Sequence, residues 1–396
     1  MMNRHRKIVI GIIVLIVFII GIFTIVRQLH IIPDIKLSGV ETKQDFPRIS
    51  LKTFWTGQWQ ADIEKWLSVN LGIRAIFIKI DNQINYTFFD VISAKYHDNI
   101  ILGKNKWLYE QALIDYFNKR NGASLADLEK QVQSLKRLQS ILESRGIHFF
   151  LLITPTKTSI YPEHIKEKDI IDNPLVKQTN REQILPLLNR YDVHYLDGSQ
   201  FLMELKKTSP YPLFSRSGLH WNYYSAYFFT VQLISYLENM MNKKMTKIYC
   251  KRIIEENDPF KDEADLANLT NIIFTRTLYD HQYYHPETYS LENQKEIFRP
   301  KMLFVGGSFL WQIFHYLEKH KVYSERDAYF YYKRYFRYPE HLEYILEPIH
   351  KESSNLSRYI FSQNIIIIEA NETALNHIGF GFVEDSLKAM EPLNTK

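Results

Sequence analysis

The segment KMLFVGGSF, residues 301–309, is an apolar run that ends in two glycines, a serine and a phenylalanine. A run of this kind predicts a buried strand that leads through a tight turn into a helix. Two other runs have the same apolar character, IHFFLLITPTK at 147–157 and NIIIIEANE at 364–372. Buried strands that alternate with helical segments are typical of a parallel sheet covered on both faces. The sequence therefore predicts a three-layer α/β fold.

The segments between these runs predict the remaining elements of such a fold. Helical patterns occupy residues 124–145 and about 179–190, and a shorter strand follows in VHYLDGS at 193–199. A long helix begins near Asn222, and a further helix covers about 309–319.

The composition indicates a globular chain that can bury a large core. Of its 396 residues, 45% are hydrophobic and 23% are charged. The formal net charge of +5 is too small for the strong basic field of a nucleic-acid-binding protein. Cys250 is the single cysteine, so no intramolecular disulfide can form. Cysteine and histidine residues do not have zinc-site spacing, and we expect neither a metal nor a cofactor.

Residues 8–26 carry no charge and are apolar apart from glycine and Thr24. A run of about 20 such residues is long enough to cross a bilayer as a helix. Arg4, Arg6 and Lys7 precede it, so the positive-inside rule favours a cytoplasmic N-terminus and an exported C-terminal bulk. A cleaved signal peptide is the alternative, but the residues that follow, VRQLH, are bulkier than an A-x-A-like cleavage site.

These features predict four segments. Residues 1–7 form a cytoplasmic tail, and residues 8–26 form a single-pass anchor in the inner (cytoplasmic) membrane. Residues 27–96 form a linker and a helical membrane-proximal region with a break at Gly72. Residues 97–396 form the α/β domain, which we expect in the periplasm or outside the cell. That location also argues against nucleic acid as a partner.

The turn Gly306-Gly307-Ser308-Phe309 follows a predicted strand, at the edge of the sheet where parallel α/β folds bind ligands. A serine hydroxyl at such a turn can face the ligand. The N–H groups at the start of the next helix, including that of Gly307, can receive a developing oxyanion. The alternative is a structural glycine turn in which Ser308 caps the helix.

Two other motifs place titratable side chains near the same edge. In Gly218-Leu219-His220-Trp221-Asn222, His220 could act as a general base, or it could simply precede a helix that Asn222 caps. In Glu369-Ala370-Asn371-Glu372, four isoleucines place Glu369 at the edge of the core. A carboxylate there needs a partner, which could be the histidine or a structural lysine or arginine.

Together these motifs resemble the AlgJ/AlgX-type family of SGNH-hydrolase-like polysaccharide O-acetyltransferases. That family has a D-x-H-W segment first and a G-D-S-F segment later, a permuted order relative to ordinary SGNH esterases. The matching segments are those around His220 and Ser308. Other stretches that are similar to the family are ILGKNKWLY (101–109), ITPTKTSIYPEH (153–164), ADLANLTNI (264–272) and IIIIEANETAL (365–375).

The resemblance implies a Ser-His-Asp triad with Ser308 as nucleophile and His220 as base. The acid does not carry over, because its position is Gly218, and the acidic residue beside the nucleophile is replaced by Gly307. We expect a substitute carboxylate, first Glu369 and otherwise Glu372 or Asp197. The side chains of Ser308 and His220 should lie within roughly 3–4 Å of each other.

Several other residues are candidates for oxyanion or substrate binding. Gln312 lies one helical turn after the nucleophile and could support the oxyanion or face solvent. Trp221 of the histidine motif could contact substrate. The segment YFYYKRYFRYP, 329–339, is either an edge strand with one aromatic face in the core or a glycan platform whose cations include Arg334 and Arg337.

The resemblance implies O-acetylation of an exported polysaccharide through a serine acyl-enzyme. It also implies that a multipass membrane acyltransferase, a separate protein, supplies the acetyl group. Two alternatives remain open at the level of sequence: an inactive glycan-binding or scaffold subunit, and a carbohydrate esterase with water as the acceptor.

Overall fold

A computed structural model of the chain describes residues 6, 8–12, 14–15, 18, 21–22, 37–39, 45–70, 74–92, 100–120, 122–171, 178–291 and 296–390. The chain divides into two compact units. One unit combines Met1–Leu102 with Leu266–Leu278, and the other combines Gly103–Asp265 with Tyr279–Lys396. The sequence patterns gave no indication that residues 266–278 belong with the N-terminal unit.

The α-helices are, in chain order, α1 (Leu51–Trp55), α2 (Gln58–Asn70), α3 (Arg74–Phe89), α4 (Gln111–Phe117), α5 (Leu125–Glu143), α6 (Lys157–Ile160), α7 (Asn180–Arg190), α8 (Gly198–Thr208), α9 (Tyr223–Met241), α10 (Asp265–Leu269), α11 (Leu310–Lys319), α12 (Ser353–Phe361) and α13 (Phe382–Met390). The strands are β1 (Ile100–Leu102), β2 (Leu108–Glu110), β3 (His148–Thr154), β4 (Tyr195–Asp197), β5 (Tyr249–Glu256), β6 (Tyr283–Tyr289), β7 (Lys301–Gly306), β8 (Glu325–Phe330), β9 (Arg334–Tyr338), β10 (Glu343–Ile345) and β11 (Ile365–Asn371).

The regular elements described in the first unit are helical apart from strand β1 at its end. α1 begins after Ser50, whose hydroxyl accepts a hydrogen bond from the N–H of Thr53 at 3.1 Å. α2 and α3 confirm the two predicted helices, while Gly72, the predicted break between them, lies outside the described residues. Buried Asn82 of α3 donates to the carbonyl of Thr270 at 2.9 Å, which joins the two stretches of chain in this unit.

The predicted anchor at 8–26 is described only in part, and most of the predicted tail at 1–7 lies outside the described residues. Within the described portion, no helix is both long and apolar enough to cross a bilayer. The predicted boundary between residues 96 and 97 also falls outside the described residues, whereas the two compact units divide between Leu102 and Gly103.

The second unit is built on a seven-stranded sheet with the order β10-β9-β8-β7-β11-β3-β4. The five strands from β8 to β4 are parallel, as predicted. β9 and β10 are antiparallel, so the prediction of a wholly parallel sheet is wrong for these two strands. The reason is the three-residue connection from β8 to β9, since a parallel connection needs a crossover of a dozen or more residues.

Helices cover both faces of this sheet and confirm the three-layer prediction. On one face, alternate strand residues such as Leu151 and Val305 join the buried core with α5, α7, α12 and α13. On the other face, the ring of Phe304 lies 4.9 Å from that of Phe314 on α11, centroid to centroid. The ring of Phe150 lies 5.1 Å from that of Tyr236 on α9. Full burial of a phenylalanine such as Phe150 or Phe304 stabilises the fold by roughly 1.5–3 kcal/mol.

The parallel strands β3, β7 and β11 end at one edge of the sheet. β7 ends at Gly306 and leads directly to the turn before α11, while β11 ends at Asn371. The pairing places Glu369 of β11 opposite Leu152 of β3, one strand away from the end of β7. This edge therefore carries two of the three motifs that the sequence singled out.

Candidate active site

Ser308 follows β7 and does not cap the next helix. The N-cap position of α11 is Phe309, which makes no side-chain cap hydrogen bond. The hydroxyl Oγ of Ser308 instead lies 2.7 Å from Nε2 of His220. The predicted proximity of the two side chains is therefore confirmed, and the alternative of Ser308 as a helix cap is wrong.

His220 lies in the loop before α9. Asn222 caps that helix, as predicted, because its side chain accepts the N–H of Ser225 at 2.9 Å. The imidazole is largely buried and packs against the ring of Phe309 at 4.8 Å between centroids. The helix cap and the histidine are thus separate features of one motif, so the capping role does not exclude a chemical role for His220.

The carboxylate against His220 is Asp265, the first residue of α10. Its Oδ2 lies 2.9 Å from Nδ1 of the imidazole, and its Oδ1 accepts the N–H of Leu219 at 2.8 Å. A second carboxylate, Asp262, has an oxygen 3.6 Å from the same nitrogen. Asp265 thus holds the histidine in the tautomer in which Nε2 can accept the serine proton.

Glu369 does not contact His220 through a hydrogen bond, and its predicted role as the triad acid is wrong. Its carboxylate accepts the N–H of Gly307 at 2.6 Å and the hydroxyl of Thr154 at 2.5 Å. Burial raises the pKa of Glu369, and these two donors partly offset that effect. The alternative, in which a structural lysine or arginine pairs with Glu369, is wrong as well. Hydrogen bonds from Gly307 and Thr154 satisfy the carboxylate instead.

The two other carboxylates considered as the acid also have different partners. Glu372 accepts the hydroxyl of Thr156 at 2.8 Å, and Arg181 lies 3.6 Å away. Asp197 accepts the Nε–H of Arg181 at 3.2 Å and caps α8 through the N–H of Ser199 at 3.0 Å. Glu372, Arg181 and Asp197 therefore form a polar cluster of their own that does not include His220.

Asp265 is the carboxylate partner of His220 that sequence reasoning missed. It lies within ADLANLTNI, one of the stretches similar to the family, so the signal was present but no role was assigned to it. Gly218 explains the relocation of the acid. A Cβ atom at Gly218 would lie 2.6 Å from the carbonyl oxygen of Glu263, so segment 262–265 occupies the space that a side chain would need.

Three residues predicted for oxyanion or substrate binding have structural roles instead. The N–H of Gly307 is directed to Glu369. Gln312 is fully buried, where its Oε1 accepts the indole N–H of Trp221 at 3.1 Å and its Nε2 donates to Asp262. Trp221 is 1% exposed and also donates to the carbonyl of Phe309. The predicted solvent-facing alternative for Gln312 is wrong as well, because α11 turns this residue toward the core.

The aromatic segment 329–339 is a hairpin rather than a single strand. It comprises the end of β8, a turn at 331–333 and β9. Arg334 pairs with Glu343, and Arg337 donates to Asp327 at 2.8 Å. Arg337 also lines an open cleft of about 760 Å³, together with Trp311 and Phe336 among others.

The environment of His220 favours its role as a base. Burial alone would lower the pKa of the imidazole. The hydrogen bond and negative charge of Asp265, with further help from the charges of Asp262 and Glu110, raise that pKa above its ordinary value. An imidazole with a raised pKa accepts a proton from a serine hydroxyl more readily.

Ser308 opens into a small cleft of about 150 Å³. Its lining includes Leu219, Tyr331, Asn371 and Phe380. Among the residues that the structure describes, no group of three or more ligating side chains is arranged to hold a metal ion. The site therefore presents the hydroxyl of Ser308, hydrogen-bonded to His220, beside a narrow cleft.

A serine, a histidine and an aspartate linked in this order at the carboxyl edge of a parallel sheet are typical of serine-hydrolase-like α/β domains. A family described as "SGNH hydrolase-like domain, acetyltransferase AlgX" matches residues 100–319. The chain belongs to this family and has its SGNH-hydrolase-like α/β fold. The match to the family confirms the resemblance that the motifs indicated.

Several solved structures are similar to the chain. The O-acetyltransferase domain of Pseudomonas putida AlgJ is 16% identical, with 76% of this chain and 100% of that chain covered and a TM-score of 0.49. Pseudomonas aeruginosa AlgX is 14% identical, with 73% and 67% covered and a TM-score of 0.43. Bacillus cereus PatB1 is 11% identical, with 72% and 100% covered and a TM-score of 0.42. No curated protein sequence matches the chain significantly.

Proposed function

We propose that this protein is an O-acetyltransferase that modifies an exported polysaccharide through an acetyl-serine intermediate. The observation that carries the proposal is the continuous hydrogen-bonded connection from Asp265 through His220 to Ser308. Membership of an acetyltransferase family supports acetyl as the acyl group. The completed triad also weakens the alternative of an inactive scaffold, because Asp265 supplies the group that Gly218 cannot.

In the first half-reaction, Nε2 of His220 takes the hydroxyl proton of Ser308 as Oγ attacks the acetyl carbonyl carbon. The carbonyl electron pair moves onto oxygen and then returns as the bond to the donor's leaving group breaks. The proton on His220 goes to that leaving group. Asp265 stays ionised and stabilises the imidazolium that forms in between. The products are acetyl-Ser308 and the free donor alcohol or thiol.

In the second half-reaction, His220 takes a proton from a sugar hydroxyl, whose oxygen attacks the acetyl-serine carbonyl. The ester bond to Oγ breaks, and the proton returns to Ser308. Water in place of the sugar hydroxyl would make the protein a carbohydrate esterase, with the same residues in the same roles. The two activities therefore differ in the acceptor, which an experiment with both acceptors present can distinguish.

The location and partners form part of the same proposal. The uncharged run at 8–26 and the basic residues before it support a single-pass anchor with the main domain outside the cytoplasm. Acetyl donors of the cytoplasm do not reach that compartment unaided, so a multipass membrane acyltransferase would deliver the group. Trp311 and Phe336 in the larger cleft are suited to stacking on sugar rings, while Arg337 beside them is paired with Asp327 at 2.8 Å.

Trapping of the acyl-enzyme tests the chemistry. The protein is treated with p-nitrophenyl acetate, quenched in acid and analysed by peptide mass spectrometry. We expect acetylation of the peptide that contains Ser308 in the wild type and its loss in Ser308→Ala. In a parallel sample, an acidic or neutral oligosaccharide is added before the quench. The acetyl group of Ser308 should then pass to the sugar faster than water removes it. Absence of an acetyl adduct on Ser308 in the wild type would contradict the proposed mechanism.

Fusion of reporters to the C-terminus tests the location. A reporter enzyme that is active only after export should be active, and one that is active only in the cytoplasm should be silent. Substitution of Arg4, Arg6 and Lys7 by glutamine should weaken this orientation, because those residues supply the positive charge on the cytoplasmic side. Activity of the cytoplasmic reporter alone would contradict the proposed topology.

A further inference from the structure

The hydroxyl of Tyr331 lies beside the nucleophile. Its oxygen is 3.3 Å from Oγ of Ser308 and 3.4 Å from the backbone nitrogen of the same residue. Tyr331 has a φ of 49°, a left-handed conformation that is uncommon for a bulky side chain. Its own N–H donates to the carbonyl of Gly306 at 2.8 Å. An unfavourable backbone conformation is thus retained in a residue that is tied directly to the nucleophile turn.

Rings on either side hold the phenol in this place. The ring of Tyr331 makes an edge contact with that of Phe380 at 5.2 Å and with that of Phe330 at 4.5 Å, centroid to centroid. Positioning by packing matters, because a hydrogen-bond donor contributes most to catalysis when it needs no reorganisation during the reaction.

Gly307 makes room for this ring. A Cβ atom at that position would lie 3.0 Å from Cε1 of Tyr331 and 3.2 Å from its Cζ and hydroxyl oxygen. A side chain beside the nucleophile would therefore press on the phenol ring and shift it by a few tenths of an ångström. The glycine at position 307 thus lets the Tyr331 ring lie against the nucleophile turn.

Other polar groups of the cleft are committed elsewhere. The N–H of Gly307 donates to Glu369 at 2.6 Å. The amide of Asn371 donates to the carbonyl of Pro155 at 3.0 Å, and the hydroxyl of Thr373 donates to Asn371 at 2.9 Å. At Ser308 the backbone N–H donates to the phenol oxygen of Tyr331 at 3.4 Å, and the phenol lies 3.3 Å from Oγ. An oxyanion that enters between them would accept hydrogen bonds from both this N–H and the phenolic O–H.

We infer that Tyr331 is a catalytic residue that stabilises the oxyanion together with the N–H of Ser308. As Oγ attacks the acetyl carbonyl, the negative charge on the carbonyl oxygen accepts a hydrogen bond from the phenol. The phenol keeps its proton throughout, since the serine proton goes to His220. This inference rests on the proposed acyl-enzyme chemistry and adds the residue that replaces the Gly307 N–H.

The substitution Tyr331→Phe removes the hydroxyl and keeps the ring. We expect the rate constant for acetylation of Ser308 by p-nitrophenyl acetate to fall about 10²-fold or more, in the range seen when one oxyanion donor is removed. The thermal midpoint should stay the same. Affinity for methylboronic acid, which forms a tetrahedral anionic adduct with a serine hydroxyl, should fall as well, whereas a purely structural role would leave it unchanged.

Tyr332→Phe is the matched control. Tyr332 is the next residue, has a similar φ of 51°, and uses its hydroxyl to contact Asp385 at 3.2 Å rather than the nucleophile. Acetylation by this variant should match the wild type. A second variant, Gly307→Ala, keeps the tyrosine but places a methyl group against its ring, and it should also slow acetylation.

The outcomes separate this inference from the proposal on which it rests. A wild type that never acetylates Ser308 overturns both. If the wild type is acetylated at Ser308 and Tyr331→Phe has the same acetylation rate constant and the same affinity for methylboronic acid, only the role of Tyr331 is overturned. If Tyr331→Phe does not fold, Gly307→Ala decides, and an unchanged rate in that variant overturns the inference.

Discussion

The imidazole of His220 takes its carboxylate partner from Asp265, which lies 45 residues further along the chain and 2.9 Å away in space. The same carboxylate also accepts the N–H of Leu219, so it fixes both the ring and the loop that carries it. Segment 262–265 occupies the space beside Gly218, where the family has an aspartate. The carboxylate that contacts His220 therefore comes from the segment that leaves no space for a side chain at position 218.

The first prediction compares two carboxylates. Asp265→Asn should lower the rate constant for acetylation of Ser308 by roughly 10³–10⁴-fold, because the amide favours the wrong histidine tautomer. Glu369→Gln should change it little, since a glutamine oxygen can still accept the N–H of Gly307 while its amide donates to Thr154. Stopped-flow release of p-nitrophenolate from p-nitrophenyl acetate measures both. A larger loss in the glutamine variant would return the acid role to Glu369.

The second prediction concerns pH. The acetylation rate should rise with pH through a midpoint above about 6.5, because Asp265 raises the pKa of His220 and only the neutral imidazole accepts the proton. In Asp265→Asn the residual activity should have a lower midpoint, since burial of the ring then predominates. A midpoint that stays in place in this variant would contradict the cause assigned to the shift.

The same shift affects stability. A raised pKa means that the folded state binds the His220 proton more tightly than the unfolded state does. The resulting contribution to the free energy of unfolding is fully present below about pH 6.5, the ordinary pKa of histidine. It is lost as the pH rises through the pKa of His220 in the folded state. Urea denaturation of the wild type and of His220→Gln across this window should show that difference only in the wild type.

The third prediction tests the space at Gly218. Gly218→Asp restores the residue type of the family but should destabilise the protein, because the carbonyl of Glu263 lies where the Cβ must go. In the double variant with Asp265→Asn, the new aspartate should not restore activity for the same reason. Gly218→Ala should be destabilising for the same reason. Thermal unfolding and acetylation of the double variant are the measurements. Recovery of activity by Gly218→Asp would show that the segment can move aside.

The fourth prediction concerns Lys157, a fully buried lysine below the histidine loop. Its ammonium donates to the carbonyls of Leu108, Arg216 and Gly218 at 2.9, 3.0 and 2.7 Å. Lys157→Met should lower the free energy of unfolding by about 2 kcal/mol or more, because the loss of a donor to the buried carbonyls of Leu108 and Gly218 costs roughly 1–3 kcal/mol each. The carbonyl of Arg216 still accepts the N–H of Leu108 at 2.9 Å. Exposed Lys168→Met is the control and should change stability by less than about 0.5 kcal/mol.

Lys157 also has a pH signature. Burial lowers the pKa of its ammonium to about 7, against the opposing charges of Asp280 and Asp265. The folded state thus binds this proton more weakly than the unfolded state does. The buried charge lowers the free energy of unfolding fully below about pH 7, and this effect is relieved as the pH rises toward the ordinary lysine pKa. The free energy of unfolding should therefore increase between pH 7 and 9, relative to Lys157→Met, and a flat difference would contradict the assignment.

The elements of the fold follow closely from local sequence. Four isoleucines and the apolar run before Gly306 form the central strands β11 and β7, because such runs are stable only where both faces are covered. The reversal from β8 to β9 was missed, since YFYYKRYFRYP has the composition of one continuous strand. Tyr331 and Tyr332 break it by adopting positive φ, which their residue type does not suggest.

The sequence brought Ser308 and His220 together through the resemblance of their two motifs to the family, and the 2.7 Å contact between their side chains confirms that prediction. It could not identify the third residue or the donors. A hydrogen bond is directional and reaches only about 3 Å, so its partners depend on how distant segments pack. The approach of segment 262–265 to Gly218 selects Asp265 over Glu369, and the packing of Tyr331 against Gly307 places a phenol beside the nucleophile.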